Sequence, residues 1–280
     1  MRVKISTMIT LDQSVGNLLR EWRLRRRLTQ LTLATQADIS ARHVCFIEKG
    51  RANPSRDMLL RLADTLQIPL RDRNALFHSA GFAPPYAERT LVDPALTVVR
   101  QAIEVVLKAH EPLPAFAVDH RWTLVASNNG FRPYLGDIEP SLLEPPVNVL
   151  RLTLHPQGLA PRLANFEQWR SHVLTKLRGQ LNISADPAGF ALLEELQSYP
   201  VPAASREISE GLVAEDWHHL VIPFQLITSA GLLSFYSTTT IFGTPLNIAL
   251  SEISMECFYP ADRATAEILR HSPSPARNVD

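Results

Sequence analysis

Residues 40–56, SARHVCFIEKGRANPSR, hold the side chains of this chain whose types and spacing fit a definite chemistry. On a helix turning about 100° per residue, Ala41, Arg42, Cys45 and Phe46 share one side, while Val44 and Ile47 share the other. An arginine fork can donate two parallel hydrogen bonds to O6 and N7 of guanine. An apolar group such as Ala41 or Phe46 can meet the methyl of thymine. The chemistry this face offers is base reading in a DNA major groove. Phe46 has an alternative place, tucked between this helix and the preceding one, which would leave Arg42 as the one reader. Groups suited to phosphate stand around the face. Gln30 opens the preceding helix, where free backbone N–H groups and the helix dipole favour an anion. Ser40, Lys49, Arg51, Asn53 and Arg56 flank the reading helix. His43 lies at its edge and either reaches a phosphate or covers the core.

A second set of residues is apolar and lies far along the chain. Trp122, Phe131, Leu150, Trp169, Phe224, Phe235 and Phe242 are large enough to line a ligand cavity between a sheet and helices. Asn128, Arg151 and His155 are polar groups able to orient a ligand head. The competing reading makes the aromatics plain core, Asn128 a helix cap and Arg151 the partner of an acid. Catalysis finds no support. His218 and His219 are adjacent with no third ligand at metal spacing. No nucleophile elbow, phosphate loop or dinucleotide fingerprint is present. No catalytic residue, metal or cofactor is expected.

These residues need elements to hold them. Apolar residues at helical spacing predict helices over 15–27, 30–37 and 41–49, one from Ser55 through Leu66, and one from Pro69 to Gly81. Thr29 and Ser40 cap the second and third. Gly50 suits a left-handed stop. Residues 1–13 read as a loose tail, 14–82 as a five-helix bundle and 83–93 as a linker. A second domain fills 94–270, and 271–280 forms a disordered tail. In the second domain a helix over 94–110 precedes a hairpin, 113–119 with 122–127. Helices follow at 147–154, 165–180 and 187–199. Three β-rich runs, 220–228, 232–241 and 246–258, come next, with turns at Gly231 and 243–245, then a helix over 261–270. Five strands with helices between them suggest one antiparallel sheet covered on one face.

Charge sorts the two halves. The chain has 280 residues and no net charge, yet residues 1–90 hold 15 Lys/Arg against 8 Asp/Glu, and the rest hold 13 against 20. A basic head on an acidic body limits contact with a polyanion to the head. Two cysteines without partners at ligand spacing, no membrane-length apolar run and a polar start fit a reducing cytoplasm.

Leu28-Thr29-Gln30, Ile39-Ser40, Ile47-Glu48-Lys49-Gly50-Arg51 and Pro54-Ser55 resemble the Cro/cI, or Xre, helix-turn-helix family over about residues 15–66. The resemblance implies that Arg23 pairs with Glu48 and so fixes the reading helix. Asp38 stands where that family usually has glycine, and the turn is still expected to form. Further segments match one branch of the family. They are Asp119-xx-Trp122-xx-Val125-xx-Asn128, Pro146 to Pro156 with Trp169, Ser234 to Thr240, and Phe242-Gly243-Thr244-Pro245. Together they resemble MmyB-like transcription regulators. That likeness implies an all-α five-helix DNA-binding bundle followed by an α+β PAS-like domain with a five-stranded antiparallel sheet. It also implies a small lipophilic, fatty-acid-like ligand. Two such heads in a homodimer would read an inverted-repeat operator of double-stranded DNA, and no membrane partner is expected. The alternative is a protein-interaction or antitoxin-like module that keeps the helix-turn-helix fold.

Overall fold

The computed structural model describes residues 14–86, 96–184, 186–202, 221–242 and 248–271. The expected N-terminal tail, the turn at 243–245, His218 with His219, most of the linker and nearly all of the C-terminal tail lie outside them. The described residues fall into two compact units, one of residues 14–86 together with 180–184, 186–187 and 248–251, the other of the remainder.

The first contains α1 (Val15–Arg25), α2 (Gln30–Gln36), α3 (Ala41–Glu48), α4 (Arg56–Thr65) and α5 (Leu70–Ser79). The hydroxyls of Ser14, Thr29, Ser40 and Ser55 accept from the backbone N–H three residues on, so each satisfies a donor that its helix cannot. One apolar cluster joins the helices, with Leu19, Trp22, Leu33, Val44, Ile47, Leu59, Leu62 and Phe77 all buried. Gly16 lets α1 lie close on α3. A Cβ there would stand 2.2 Å from the Ile47 carbonyl oxygen. Asp38 takes the left-handed turn between α2 and α3, at φ 52°. Gly50 ends α3 at φ 67°, and the N–H groups of Gly50 and Arg51 bond the carbonyls of Ile47 and Phe46. Tyr86, which its sequence places in the linker, is bound to α5. Its backbone exchanges two hydrogen bonds with the Asn74 amide, at 2.8 and 3.2 Å.

The remaining elements are α6 (Thr97–Ala109), β1 (Ala115–Val118), β2 (Leu124–Ser127), α7 (Val149–Leu154), α8 (Phe166–Ser184), α9 (Pro187–Ser198), β3 (Phe224–Thr228), β4 (Gly231–Ile241) and β5 (Ser254–Pro260). A helix over Arg263–His271 follows. The strands form one antiparallel sheet in the order β2-β1-β5-β4-β3. This is the PAS-like, five-stranded domain that the sequence pattern predicts.

Period-two alternation sorts the sheet into two faces. Phe116 pairs with Glu256, Ser237 with Phe258 and Phe224 with Phe235 on one face. Ala115, Ala117, Met255 and Cys257 occupy the other, where Ile103 and Leu107 of α6 pack on them. The sequence reading of a sheet covered on one face is therefore corrected in part: α6 covers the second face over β1 and β5, while Tyr236, Thr238 and Thr240 of β4 and Tyr259 of β5 stay exposed on it. All four residues of β1 are buried, so the strand carries no polar alternation to betray a solvent side. The expected strand over 246–258 is also corrected. A short helix, Ile248–Ser251, precedes β5. Apolar alternation begins only at Ile253, through Met255 and Cys257, while Ala249 and Leu250 are good helix formers.

Candidate functional site

In the first unit the reading face is set by what lies beneath it. Val44, Ile47 and Glu48 are the buried positions of α3. Glu48 accepts from Arg23 Nε at 2.6 Å and Nη2 at 2.8 Å, and from Gln30 Nε2 at 2.7 Å. The third Arg23 nitrogen donates to the Leu28 carbonyl at 2.8 Å. Burial alone would raise the Glu48 carboxyl, but the bonds from Arg23 and Gln30 outweigh it and hold it below the usual range. α1, α2 and α3 are thus tied at one charged node. The Arg23–Glu48 pair implied by the resemblance is present.

Opposite that node, Arg42 is exposed, and Ala41, His43, Cys45 and Phe46 are half-buried. The Arg42 guanidinium carbon lies 5.2 Å from the centre of the Phe46 ring. Ala41 packs at the edge of the core cluster, whereas Phe46 stands outside it. Lys49, Arg51, Asn53 and Arg56 are exposed. Arg56 also stacks on Phe77, its guanidinium carbon 5.8 Å from the ring centre. Ser40 uses its hydroxyl oxygen to cap α3. The Gln30 side-chain amide is bound to Glu48, and its backbone stands at the start of α2, where the expectation placed free N–H groups for a phosphate.

In the second unit a small cavity of about 70 Å³, partly open to solvent, lies between α7, α8 and one face of the sheet. Trp122, Phe131, Leu150, Trp169, Phe224 and Phe235 line it, as their residue types suggested. Trp122 sits at φ 63°, a conformation that a bulky residue rarely adopts. Asp119 holds it there, since its carboxylate accepts from the N–H groups of Arg121 and Thr123, both at 2.8 Å.

Four other expected cavity residues lie elsewhere. Asn128 is buried with its amide committed to backbone: Oδ1 accepts from Ala115 N–H, and Nδ2 donates to the Leu107 and Leu113 carbonyls. Arg151 forms a two-bond pair with Glu195, at 2.8 and 2.7 Å, which ties α7 to α9. His155 accepts from Gln157 N–H and meets the Tyr199 ring edge-on. Phe242 packs on the opposite sheet face, against the α6 cluster.

The polar groups that do line the cavity include His172, Lys176, Ser237 and Glu256. Lys176 Nζ donates to Glu256 Oε1 at 2.8 Å and Thr239 Oγ1 at 3.0 Å, and lies 4.9 Å from the centre of the Trp122 ring. Burial lowers the His172 pKa, and the Lys176 charge lowers it further. The Trp169 indole N–H is buried without an acceptor among the described residues. Sequence reasoning missed His172 and Lys176. Their signal is helical spacing, because Trp169, His172, Val173 and Lys176 recur at i, i+3, i+4 and i+7 along α8. Phe116 and Phe258 were missed as well. They become legible only once the strand register is known.

Among the described residues no His/Cys/Asp/Glu group could hold a metal, and no helix is long and apolar enough to cross a membrane.

A family profile for the MmyB-like transcription regulator ligand binding domain matches residues 99–271, and one for a helix-turn-helix domain matches 14–76. No curated protein matches. Solved structures similar to the chain include the restriction-modification controller protein C.AhdI from Aeromonas hydrophila. It is 35% identical over 22% of this chain and 91% of that one, with a TM-score of 0.21. The clp gene regulator ClgR from C. glutamicum is 25% identical over 27% of this chain and 95% of its own, at 0.22. An RNA-binding Light-Oxygen-Voltage receptor is 12% identical over 93% of this chain and 61% of its own, at 0.23. The ligand-binding profile alone spans more than half of the chain, so it belongs to the MmyB-like transcription regulators, DNA-binding helix-turn-helix proteins with a ligand-binding domain, and not to a family of enzymes.

Proposed function

We propose that this regulator recognises a specific operator through α3 and that its cavity takes a small lipophilic, fatty-acid-like molecule. Arg42 and Phe46, with Ala41 and Cys45 beside them, read bases. Ser40, His43, Lys49, Arg51, Asn53 and Arg56 contact phosphates, as does Gln30 through the backbone N–H groups at the start of α2. Two heads in a homodimer read an inverted repeat with half-sites about one helical turn apart.

The observation that carries the ligand reading is the composition of the cavity wall. Aromatic and aliphatic side chains surround it, and its N–H donors, Trp169, His172 and Lys176, are gathered on α8. That wall suits an alkyl chain, with an acceptor-bearing head at α8. Two measurements test the proposal. In gel shifts, Arg42→Ala should cost about 1–3 kcal/mol on the operator and little on random duplex. Wild type and variant binding both DNAs equally would refute base reading, and no binding to either DNA at low salt would favour a protein-interaction role. In thermal denaturation, myristic acid should raise the melting temperature of the second unit. No shift with myristic acid, tetradecanol or another long-chain lipophile would refute the lipophilic ligand.

A further inference from the structure

Arg42 and Phe46 are not two independent contacts. They are one turn apart on α3, and the guanidinium carbon sits 5.2 Å from the ring centre. A guanidinium that bonds O6 and N7 of a guanine lies in the plane of that base pair, so its two flat faces look along the DNA axis. Phe46 covers one face. The other must meet the major-groove edge of the neighbouring pair. Arg is weakly hydrated for a cation and stacks readily on apolar groups, so a methyl is well matched to that face. Ala41 and Cys45 are too small to take its place. In the right-handed duplex, the base on the 5′ side of the guanine brings its C5 edge over the guanine's O6/N7 edge. A pyrimidine with a C5 methyl supplies the missing apolar surface. A purine there offers N7 instead, a polar acceptor that the guanidinium, already committed to guanine, cannot satisfy.

We propose that α3 reads a 5-methylpyrimidine–guanine step. In unmodified DNA this is TpG. The same contact accepts a CpG step whose cytosine carries a 5-methyl group, so binding at such a site responds to cytosine methylation. The proposal rests on the base-reading role of Arg42 stated above and adds the identity of the neighbouring base.

The test changes the DNA one methyl at a time. Selection from a random duplex library with the full chain should enrich a half-site containing TpG. Fluorescence anisotropy then compares duplexes that differ only at the pyrimidine. Replacing thymine by deoxyuridine should weaken binding about fourfold, the worth of one buried methyl. Replacing cytosine by 5-methylcytosine at the same position should tighten it about fourfold. Arg42→Lys keeps the charge and donors for guanine but has no flat face to stack, so it should lose the methyl effect, whereas Arg42→Ala should also lose the guanine preference, worth about 5- to 150-fold. Equal affinities for thymine and deoxyuridine, and for cytosine and 5-methylcytosine, would overturn the inference while leaving specific binding intact. If no sequence is enriched, base reading itself fails.

Discussion

Glu48 sits beneath the reading face with its side chain 3% exposed, and Arg23 opposite it is 9% exposed. Removing one member of such a pair leaves the other charged and buried. Arg23→Met should therefore lose about 3–5 kcal/mol of stability, whereas Arg23→Met with Glu48→Leu should recover most of the loss. Urea melts of the four proteins measure this coupling, and strict additivity would show that the pair is not a unit. The carboxyl's lowered pKa fixes the direction of the pH effect. Its contribution is present above the unfolded value of about 4.3 and is lost as pH falls through the lower folded value. At this scale the sequence was legible where a residue's role is local. Ser40 caps, Gly50 stops α3, and Arg42 is exposed on the outward side. It misled where a polar side chain had a choice of distant partners. Nothing in the spacing of Asn128 tells that it will satisfy three backbone groups, or in that of Arg151 that Glu195 will claim it.

At the level of elements, α6 presents two different faces. Ile103 and Leu107 are buried against the sheet, yet Val98 and Val105 on the outer side are 74% and 67% exposed. Val98, Ala102, Val105 and Ala109 recur at spacings of four, three and four, the rhythm of a helix–helix seam. Small alanines between the valines let two backbones approach. If the protein is a homodimer, this stripe is a natural place for α6 to meet its copy. Val98→Asp with Val105→Asp should shift the dimer towards monomer in sedimentation equilibrium, with the melting temperature nearly unchanged because neither residue is in the core. A dimer that persists at low micromolar concentration would remove α6 from the interface. Helices like α6 are legible in sequence because periodicity reports them directly. The two sides of the sheet were not, because a strand buried on both faces has no alternation to read. The 246–258 run was misassigned for a related reason. A short apolar run between turns fits a strand or a helix equally, and only the packing of Ile248 and Ile253 decides between them.

For the molecule as a whole, the uneven charge is the property that local structure does not explain. The first 90 residues carry 15 basic and 8 acidic side chains, an excess that a folded bundle of this size does not need. Part of the basic set is already committed inside the head. Arg23 pairs with Glu48, Arg26 donates to the Leu66 and Gln67 carbonyls, and Arg73 pairs with Asp64. Those residues build the fold and release no counterions on binding. Lys49 and Arg51, exposed just beyond α3, are the better candidates for phosphate. Each phosphate neutralised releases condensed cations, so the logarithm of the binding constant should fall linearly with the logarithm of salt, by about 0.9 per contact. Lys49→Ala and Arg51→Ala should each reduce that slope by about 1 per head and weaken operator and random duplex alike. Arg42→Ala should behave differently, reducing the preference for the operator. Ligand binding in the second unit buries apolar surface and should vary little over the same salt range, since hydrophobic transfer is not screened. Fluorescence anisotropy across 50–300 mM potassium chloride separates these cases. An unchanged slope in both Lys49→Ala and Arg51→Ala would mean that the head meets the backbone through other residues, and the charge excess would then need another explanation.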